Sequence, residues 1–457
     1  MDNPSNFIKI LDPVENLLSP KLAALLKLDF SFTSVFYRQS AFRKVRKEYE
    51  KSILIKTKEG FLLPTGLVPK AIQLCKERKI AVKMIGELEK IPSTDFSLKT
   101  IVLREEQIRL VKAAIEQQRG VLVAPTGEGK TLLGVAIISA FLKTKGRILW
   151  LCHTKDLMYQ SAKVCEKELG IKPGIIGDGV FEKSKKITMA TRQSFKKNLN
   201  LSLMYDIVII DETHHITSLN SEYGEILRSI FAPVRIGLTA TLPKKDKEAL
   251  LAIEGLLGPI MEEITIKEAT DLGIMAKIKL RFLKVPMSHT IRDLRKYNDV
   301  YQQGVVERRA QHELIVRTAK EHIEKGDSVL VIVTRIEHGR NLLNEFEYQG
   351  VKAFFAQGST EGDVREEIKE ALNKKKIHCV IATTIFKEGI NIPELNVLVN
   401  ATMGKSDIAT MQVIGRGLRK TATKSEIIVY DLFDPSHPFL ISSFGERVCL
   451  YSDLGWI

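Results

Sequence analysis

Short, uninterrupted apolar runs rich in β-branched residues punctuate the chain from residue 120 onward. "GVLVAP" (120–125), "RILWLC" (147–152), "KITMAT" (186–191), "DIVIID" (206–211) and "RIGLTA" (235–240) are separated by stretches with helical spacing. These runs do not alternate polar with apolar positions. Both faces of each strand must therefore be covered, as in a parallel sheet with helices on either side. The rhythm restarts with "SVLVIVT" (328–334), "KAFFAQ" (352–357), "HCVIATT" (378–384), "NVLVNA" (396–401) and "EIIVYD" (426–431). The pattern predicts two α/β units of about 150–180 residues joined by the polar stretch around 265–310. Residues 1–95 differ: they are basic and aromatic and end at the turn-like Ile91-Pro92-Ser93-Thr94. Within them "SILIKTKEGFLLPTG" (52–66) reads as a hairpin turning at Lys58-Glu59-Gly60.

Composition narrows the class. The 457 residues are 44% hydrophobic and 27% charged, which is enough for packed cores and unlike a collagenous or disordered chain. There is no run of about 18 apolar residues to span a bilayer. The opening Met-Asp-Asn-Pro lacks the basic and apolar regions of a secretory signal. The five cysteines are scattered with no CxxC pair, against a disulfide scaffold or structural zinc. A soluble protein of the cytoplasm, in a bacterium or a phage-infected cell, is expected. The net charge of +14 favours a polyanion, nucleic acid before an anionic membrane surface. Half of that excess sits between Ser31 and Asp95, with 14 Lys/Arg against 7 Asp/Glu. The same region holds Phe30, Phe32, Phe36, Tyr37, Phe42, Tyr49 and Phe61, interleaved with Arg38, Arg43, Lys44, Arg46 and Lys47. Such a mixture suits backbone neutralisation plus stacking on unpaired bases. It equally suits a small α+β domain whose aromatics form its own core.

Two motifs carry chemistry. Residues 124–131, Ala-Pro-Thr-Gly-Glu-Gly-Lys-Thr, follow a buried strand and precede the helical "LLGVAIISAFL". This is a P-loop with Ala124 at its first Gly position. Gly127 and Gly129 let backbone N–H groups turn toward phosphate oxygens at a helix N-terminus. Lys130 would reach the β and γ phosphates, and the Thr131 hydroxyl would ligate Mg²⁺. About 80 residues on, "DIVIIDETHH" places Asp211 and Glu212 at a strand end. An acidic pair there can hold Mg²⁺ through Asp211 and polarise the attacking water with Glu212. Taken alone the pair could be a surface turn. His214 and His215 lack partners at metal-ligand spacing.

With both motifs in place the chain resembles a superfamily 2 helicase of the DExH type, Asp211-Glu212-Thr213-His214 being the signature. The resemblance implies two RecA-like parallel-sheet motor lobes in tandem, here with a small α+β N-terminal domain. The expected domains are 1–95, 96–275 and 276–457. It implies ATP and Mg²⁺ as cofactors, cradled by Pro125, Thr126, Gly127, Glu128, Gly129, Lys130 and Thr131. "LREEQ" (103–107) resembles the adenine-contacting segment and implies Arg104 and Gln107. "HTKDLMYQ" (153–160) and "ATRQSF" (190–195) resemble strand-gripping motifs, and "TAT" (239–241) the motif coupling hydrolysis to movement. Nucleic-acid contacts are thus implied at His153, Thr154 and Thr191, with Arg335 of "VTR" (333–335) and Thr383 in the second lobe. "QGS" (357–359) and "ATTIFKEGINIPELN" (382–396) also match, implying Gly389 at ATP, although Asn391 stands where many relatives carry Asp. "QVIGRGLR" (412–419) implies Gln412, Arg416 and Arg419 at ATP, with His214 completing the catalytic set. The two arginines would act as fingers on the γ-phosphate, a device worth about 10³–10⁵ in rate elsewhere.

Hydroxyls that grip sugar-phosphate position a strand without reading its sequence. The compact build is similar to the bacteriophage UvsW-type helicases, which implies a partner that is DNA, branched or containing single strands, bound without sequence preference. An RNA helicase, a duplex translocase subunit of a restriction or remodelling complex, and a nucleic-acid-binding module with a vestigial ATP site are the alternatives. The presence of Lys130, Asp211, Glu212, Arg416 and Arg419 together speaks against the last.

Overall fold

The computed structural model describes residues 6–457 except 40–43, 126–127, 145, 185, 245, 358–361, 384–391, 393, 405–423 and 454–455. By its contacts the chain divides into two compact units, residues 1–124 with 128–264, and 125–127 with 265–457.

The first unit opens with a small five-stranded sheet. Its strands are β1 (Phe7–Ile10), β2 (Glu15–Leu18), β5 (Ile55–Lys56), β6 (Phe61–Pro64) and β7 (Lys83–Ile85), in the order β5-β6-β2-β1-β7. Helices α1 (Pro20–Leu26) and α2 (Val68–Glu77) cover it. The hairpin expected at 52–66 is the β5–β6 pair, Ile55 opposite Leu62, closed by Thr57 N–H donating to Gly60 O at 2.8 Å. A longer hairpin escaped the sequence reading. Strands β3 (Ser31–Gln39) and β4 (Lys44–Ser52) form a separate two-stranded ribbon, in register from Ser31–Ser52 to Gln39–Lys44. The aromatics divide accordingly. Phe30 is fully buried, Phe32 and Phe61 pack against the same core, and Tyr49 is 48% exposed.

The rest of the first unit is a doubly covered sheet of eight strands. In chain order these are β8 (Arg119–Val123), β9 (Ile148–Cys152), β10 (Gly174–Gly177), β11 (Val180–Phe181), β12 (Ile187–Thr191), β13 (Ile207–Asp211), β14 (Val234–Thr239) and β15 (Ile260–Glu263). Their spatial order is β11-β10-β12-β9-β13-β14-β8-β15, parallel throughout except for the β10–β11 pair. Residues on β9, β12 and β13 are buried along the whole strand, which is why their runs lack alternation. Helix α3 (Glu105–Gln117) leads into β8, and α4 (Lys130–Phe141) follows the P-loop. Between β9 and β10 runs α5 (Lys155–Leu169), the short α6 (Arg192–Lys196) follows β12, and α7 (Glu222–Ser229) precedes β14. Helix α8 (Lys247–Leu257) joins the two parts of the unit. Leu251 belongs to the core of the N-terminal sheet, and a Cβ on Gly66 would lie 2.0 Å from Glu254 O.

The second unit holds a six-stranded, all-parallel sheet in the order β16-β21-β20-β17-β19-β18. Its strands are β16 (Lys277–Lys284), β17 (Val329–Val333), β18 (Phe354–Ala356), β19 (Cys379–Thr383), β20 (Val397–Asn400) and β21 (Glu426–Phe433). All ten strands predicted from the apolar runs are present, and both larger sheets are RecA-like α/β layers. The stretch around 265–310, expected as a joining segment, instead carries edge strand β16, whose exposed Lys277, Lys279 and Arg281 concealed it. Among the described residues no helix is long and apolar enough to cross a membrane.

Candidate active site

Helix α4 is apolar on every side and buried from Leu133 to Phe141, so its position is fixed by packing on both flanks. A Cβ on Gly134 would meet the indole of buried Trp150 at 2.3 Å, so β9 and α4 approach as closely as glycine permits. The helix begins at Gly129, whose φ of +77° lies in the left-handed region that glycine adopts without cost. Lys130 and Thr131 thereby occupy the first turn, half buried.

Strand register brings the acidic pair to the same edge. Asp211 lies opposite Leu238 of β14, and Leu238 lies opposite Leu122 of β8. Two strand spacings, about 10 Å, therefore separate the end of β13 from the strand that launches the P-loop. The Lys130 ammonium acts on Asp211 across that gap. Asp211 is 5% exposed, and burial, reinforced by the charge of Glu212, raises its carboxyl to about 7 against the opposing pull of Lys130. Its Oδ1 accepts the Glu212 N–H at 3.0 Å. Glu212 itself has φ +53°, a left-handed conformation that costs a non-glycine residue about 1–3 kcal/mol. A single 3₁₀ turn, Thr213–His215, holds it, with His215 N–H donating to Glu212 O at 3.1 Å. His214 is buried, its Nδ1 3.2 Å from Thr239 Oγ1 and 3.4 Å from Glu212 Oε2. Thr239, in the "TAT" segment, donates onward to Thr241 O at 2.7 Å.

Arg104 and Gln107 sit beside the P-loop. Gln107 Nε2 donates to Glu128 O at 2.8 Å, and its Oε1 accepts the Arg104 N–H at 3.0 Å. The Arg104 guanidinium pairs with the carboxylates of Glu106 and Glu128. Glu128 is fully buried, and that burial raises its carboxyl above the ordinary range, with Arg104 opposing the rise. This ion pair beside the glycine-containing turn had no sequence signal, because residues 104 and 128 meet only through the fold. Pro125 is buried at the end of β8.

The strand-gripping candidates follow adjacent strands. Thr154 caps α5, its Oγ1 accepting the Leu157 N–H at 3.4 Å, and Thr191 caps α6 through the Ser194 N–H at 3.4 Å. His153 stacks flat on His215, ring centroids 3.6 Å apart and planes 4° from parallel. In the second unit, Arg335 immediately precedes helix α9 (Ile336–Tyr348), donates from Nη1 to Gln302 Oε1 at 2.6 Å and lies 4.8 Å over the Tyr301 ring. Thr383 ends β19 at 1% exposure, so its hydroxyl meets a phosphate only if that strand end opens. Arg38 lies on β3, whose side chains beyond Ser34 are not described. Thr126, Gly127, Arg43, Gly389, Gln412, Arg416 and Arg419 lie outside the described residues.

The comparisons with known proteins meet this geometry. The family model for the type III restriction enzyme res subunit matches residues 100–244, and that for the helicase conserved C-terminal domain matches 309–421. The chain belongs to the superfamily 2 helicases. The helicase is 29% identical over 367 residues to the DNA 3'-5' translocase XPB2 of Sulfurisphaera tokodaii, covering 72% of this chain and 81% of that one. It is 24% identical over 404 residues to the ATP-dependent DNA helicase uvsW of Enterobacteria phage T4, covering 82% and 79%. Among solved structures it resembles the ATP-dependent type ISP restriction-modification enzyme LlaBIII bound to DNA. That likeness has a TM-score of 0.60 at 14% identity, over 84% of this chain and 32% of that one. The helicase is an ATP-dependent enzyme that unwinds nucleic acid.

Proposed function

We propose that this helicase is a DNA motor that unwinds branched DNA or moves its branch points, in recombination, repair or replication. The observation that carries the reading is the common sheet edge on which the P-loop, the acidic pair and the strand-gripping junctions all emerge. Conversion of phosphate chemistry into movement requires those groups to share one rigid layer. Both relatives above are named as DNA enzymes, and half of the chain's net positive charge lies between Ser31 and Asp95.

Each side chain has an assigned part. Lys130 neutralises the β and γ phosphates, Glu212 orients the attacking water, and His214 fixes the Glu212 carboxylate. Arg104 and Gln107 contact the base. Thr131 and Asp211 are hard oxygen donors suited to Mg²⁺. The fit is also electrostatic: Asp211 is buried with Lys130 opposing its raised pKa, so a divalent cation would restore its ionised form. When bound, that ion supplies charge neutralisation on the phosphates. His153, Thr154, Thr191 and Arg335 hold sugar-phosphate, and Thr383 joins them once the end of β19 opens; such contacts position a strand without reading bases. By the family resemblance, Arg416 and Arg419 would supply the remaining charge at ATP, with Gln412 and Gly389 as uncharged contacts.

The test is the ATPase rate of wild type and Lys130→Ala with single-stranded DNA, duplex DNA, a four-way junction and RNA. Strongest stimulation by the junction or the single strand, abolished in the variant, is expected. Preferential stimulation by RNA overturns the DNA assignment. A second reading, movement along duplex without strand separation, is favoured by the restriction-subunit match and by the translocase relative. Displacement of a triplex strand without unwinding of a fork would select it.

A further inference from the structure

We propose that the stacked pair His153–His215 is a positioning device through which DNA at the strand-gripping junctions controls Glu212, so that hydrolysis responds to bound DNA. The proposal rests on the reading that the Thr154 and Thr191 junctions hold a strand.

The placement follows from the sheet. Strands β12, β9 and β13 are neighbours, and register sets Thr191 beside Cys152 and Ile210 beside Leu151. The residues that come next, Arg192, His153 and the Asp211–Glu212 pair, leave the sheet side by side. Their side chains then form a continuous row. His215 lies 4.3 Å from His214 and stacks at 3.6 Å on His153. His153 lies 6.4 Å from the buried ring of Tyr223, planes 20° apart. The Arg192 guanidinium lies over the Tyr223 ring at 5.9 Å, and its Nε is 3.1 Å from Glu222 Oε2. The row thus joins the first residue after β9 and the first residue of α6 to the turn that carries the water-orienting carboxylate.

The mechanical consequence is specific. Glu212 sits in a left-handed conformation that its own backbone does not favour, and the 3₁₀ turn ending at His215 maintains it. The hydrogen bond from His215 N–H to Glu212 O makes the turn and the carboxylate move together. His215 is anchored through its ring face against His153, next to Thr154, the cap of α5. A strand that draws the start of α5 into a new position therefore carries His153, and with it the turn. Burial, then His214 and His153, hold the His215 ring down at about 3, so a flat neutral contact persists at physiological pH. Nothing in hydrolysis itself requires a ring at 215, which separates this role from catalysis.

The experiment measures kcat and KM for ATP with and without saturating oligo-dT, plus oligo-dT affinity by fluorescence anisotropy. The proteins are wild type, His215→Ala, His215→Phe, His153→Ala and the double alanine variant. His215→Ala is expected to keep basal kcat and KM within about twofold and DNA affinity within about threefold, while stimulated kcat falls at least tenfold. Phe at 215 retains a flat ring and restores more than half of the stimulation. His153→Ala, read at saturating oligo-dT because that residue also contacts the strand, lowers stimulated kcat similarly, and the double variant loses no more than either single one, as two halves of one contact require. Basal and stimulated rates falling in parallel, or stimulation persisting in His215→Ala, overturns the proposal. If wild-type ATPase ignores DNA, or Thr154→Val with Thr191→Val leaves DNA affinity unchanged, the underlying reading of the junctions fails, and the proposal fails with it.

Discussion

At the residue scale, the site is costly to fold, and that cost is measurable. Asp211 is buried, so its ionised form is penalised, and its pKa rises from the ordinary 3.8 to about 7. A raised carboxyl binds its proton more tightly folded than unfolded. The folded state therefore loses stability as pH climbs from about 4 to 7. Asp211→Asn is expected to abolish ATPase yet raise the melting temperature at pH 8 without divalent ions, by about 1–3 kcal/mol equivalent. The gain should shrink toward pH 4, where the wild-type carboxyl is protonated, and shrink at pH 8 when Mg²⁺ is added, because only the wild type has a buried carboxylate for the cation to neutralise. Scanning calorimetry across pH with EDTA or Mg²⁺ reads all three. His338, fully buried in α9, has the opposite sign: burial first, then nearby His312, lowers it to about 3. Its unfolded form takes a proton below about pH 6.5 while the folded form does not. Stability is complete above that value and lost as pH falls toward 3, at about 1.4 kcal/mol per pH unit. Among the described residues neither ring nitrogen has a hydrogen-bond partner. His338→Leu should therefore match or exceed wild-type stability at pH 7, with an advantage that widens in denaturant titrations at pH 5.

At the element scale, burial and turn chemistry explain why some elements were legible. Each fully buried strand of the two large sheets shows an unbroken apolar run, because helices cover both faces. β16 did not stand out because its edge position leaves its basic side chains in water, a common protection of sheet edges. The β3–β4 ribbon has no second sheet face to bury, so its sequence shows charge and aromatics without a periodic core stripe. Its antiparallel register places Arg38 opposite Val45, Tyr37 opposite Arg46 and Phe36 opposite Lys47. Basic and aromatic residues thus recur along both strands, which suits a DNA arm. Replacing residues 36–47 with a two-residue Asn-Gly turn removes five cationic residues while leaving Phe30 and Phe32 in the core. The expected result is basal ATPase within about twofold, at least tenfold weaker DNA binding, and a shallower dependence of log K on log salt. Unchanged affinity and salt slope in anisotropy titrations would dismiss the arm.

At the scale of the whole molecule, the N-terminal sheet and the first RecA-like layer share α8. Leu251 is buried in the N-terminal core, while Ala252, Ile253, Leu256 and Leu257 face the larger one. Lys70 also reaches Glu254 at 2.8 Å. Removing residues 1–95 would therefore expose an apolar face of the motor, so the ribbon replacement is the cleaner probe of DNA contacts. The sequence by itself determined the α/β class, the ten principal strands, the P-loop and the acidic strand end. Each of these depends on local physics: burial on both faces writes a continuous apolar run, and a phosphate cradle needs its glycines and lysine within eight residues. Tertiary structure alone decided which distant side chains meet. Arg104 pairs with Glu128, His153 lies flat on His215, and Thr154 and Thr191 spend their hydroxyls capping helices. No local pattern encodes those encounters, because strand order and register, set by packing across the whole sheet, bring the residues together.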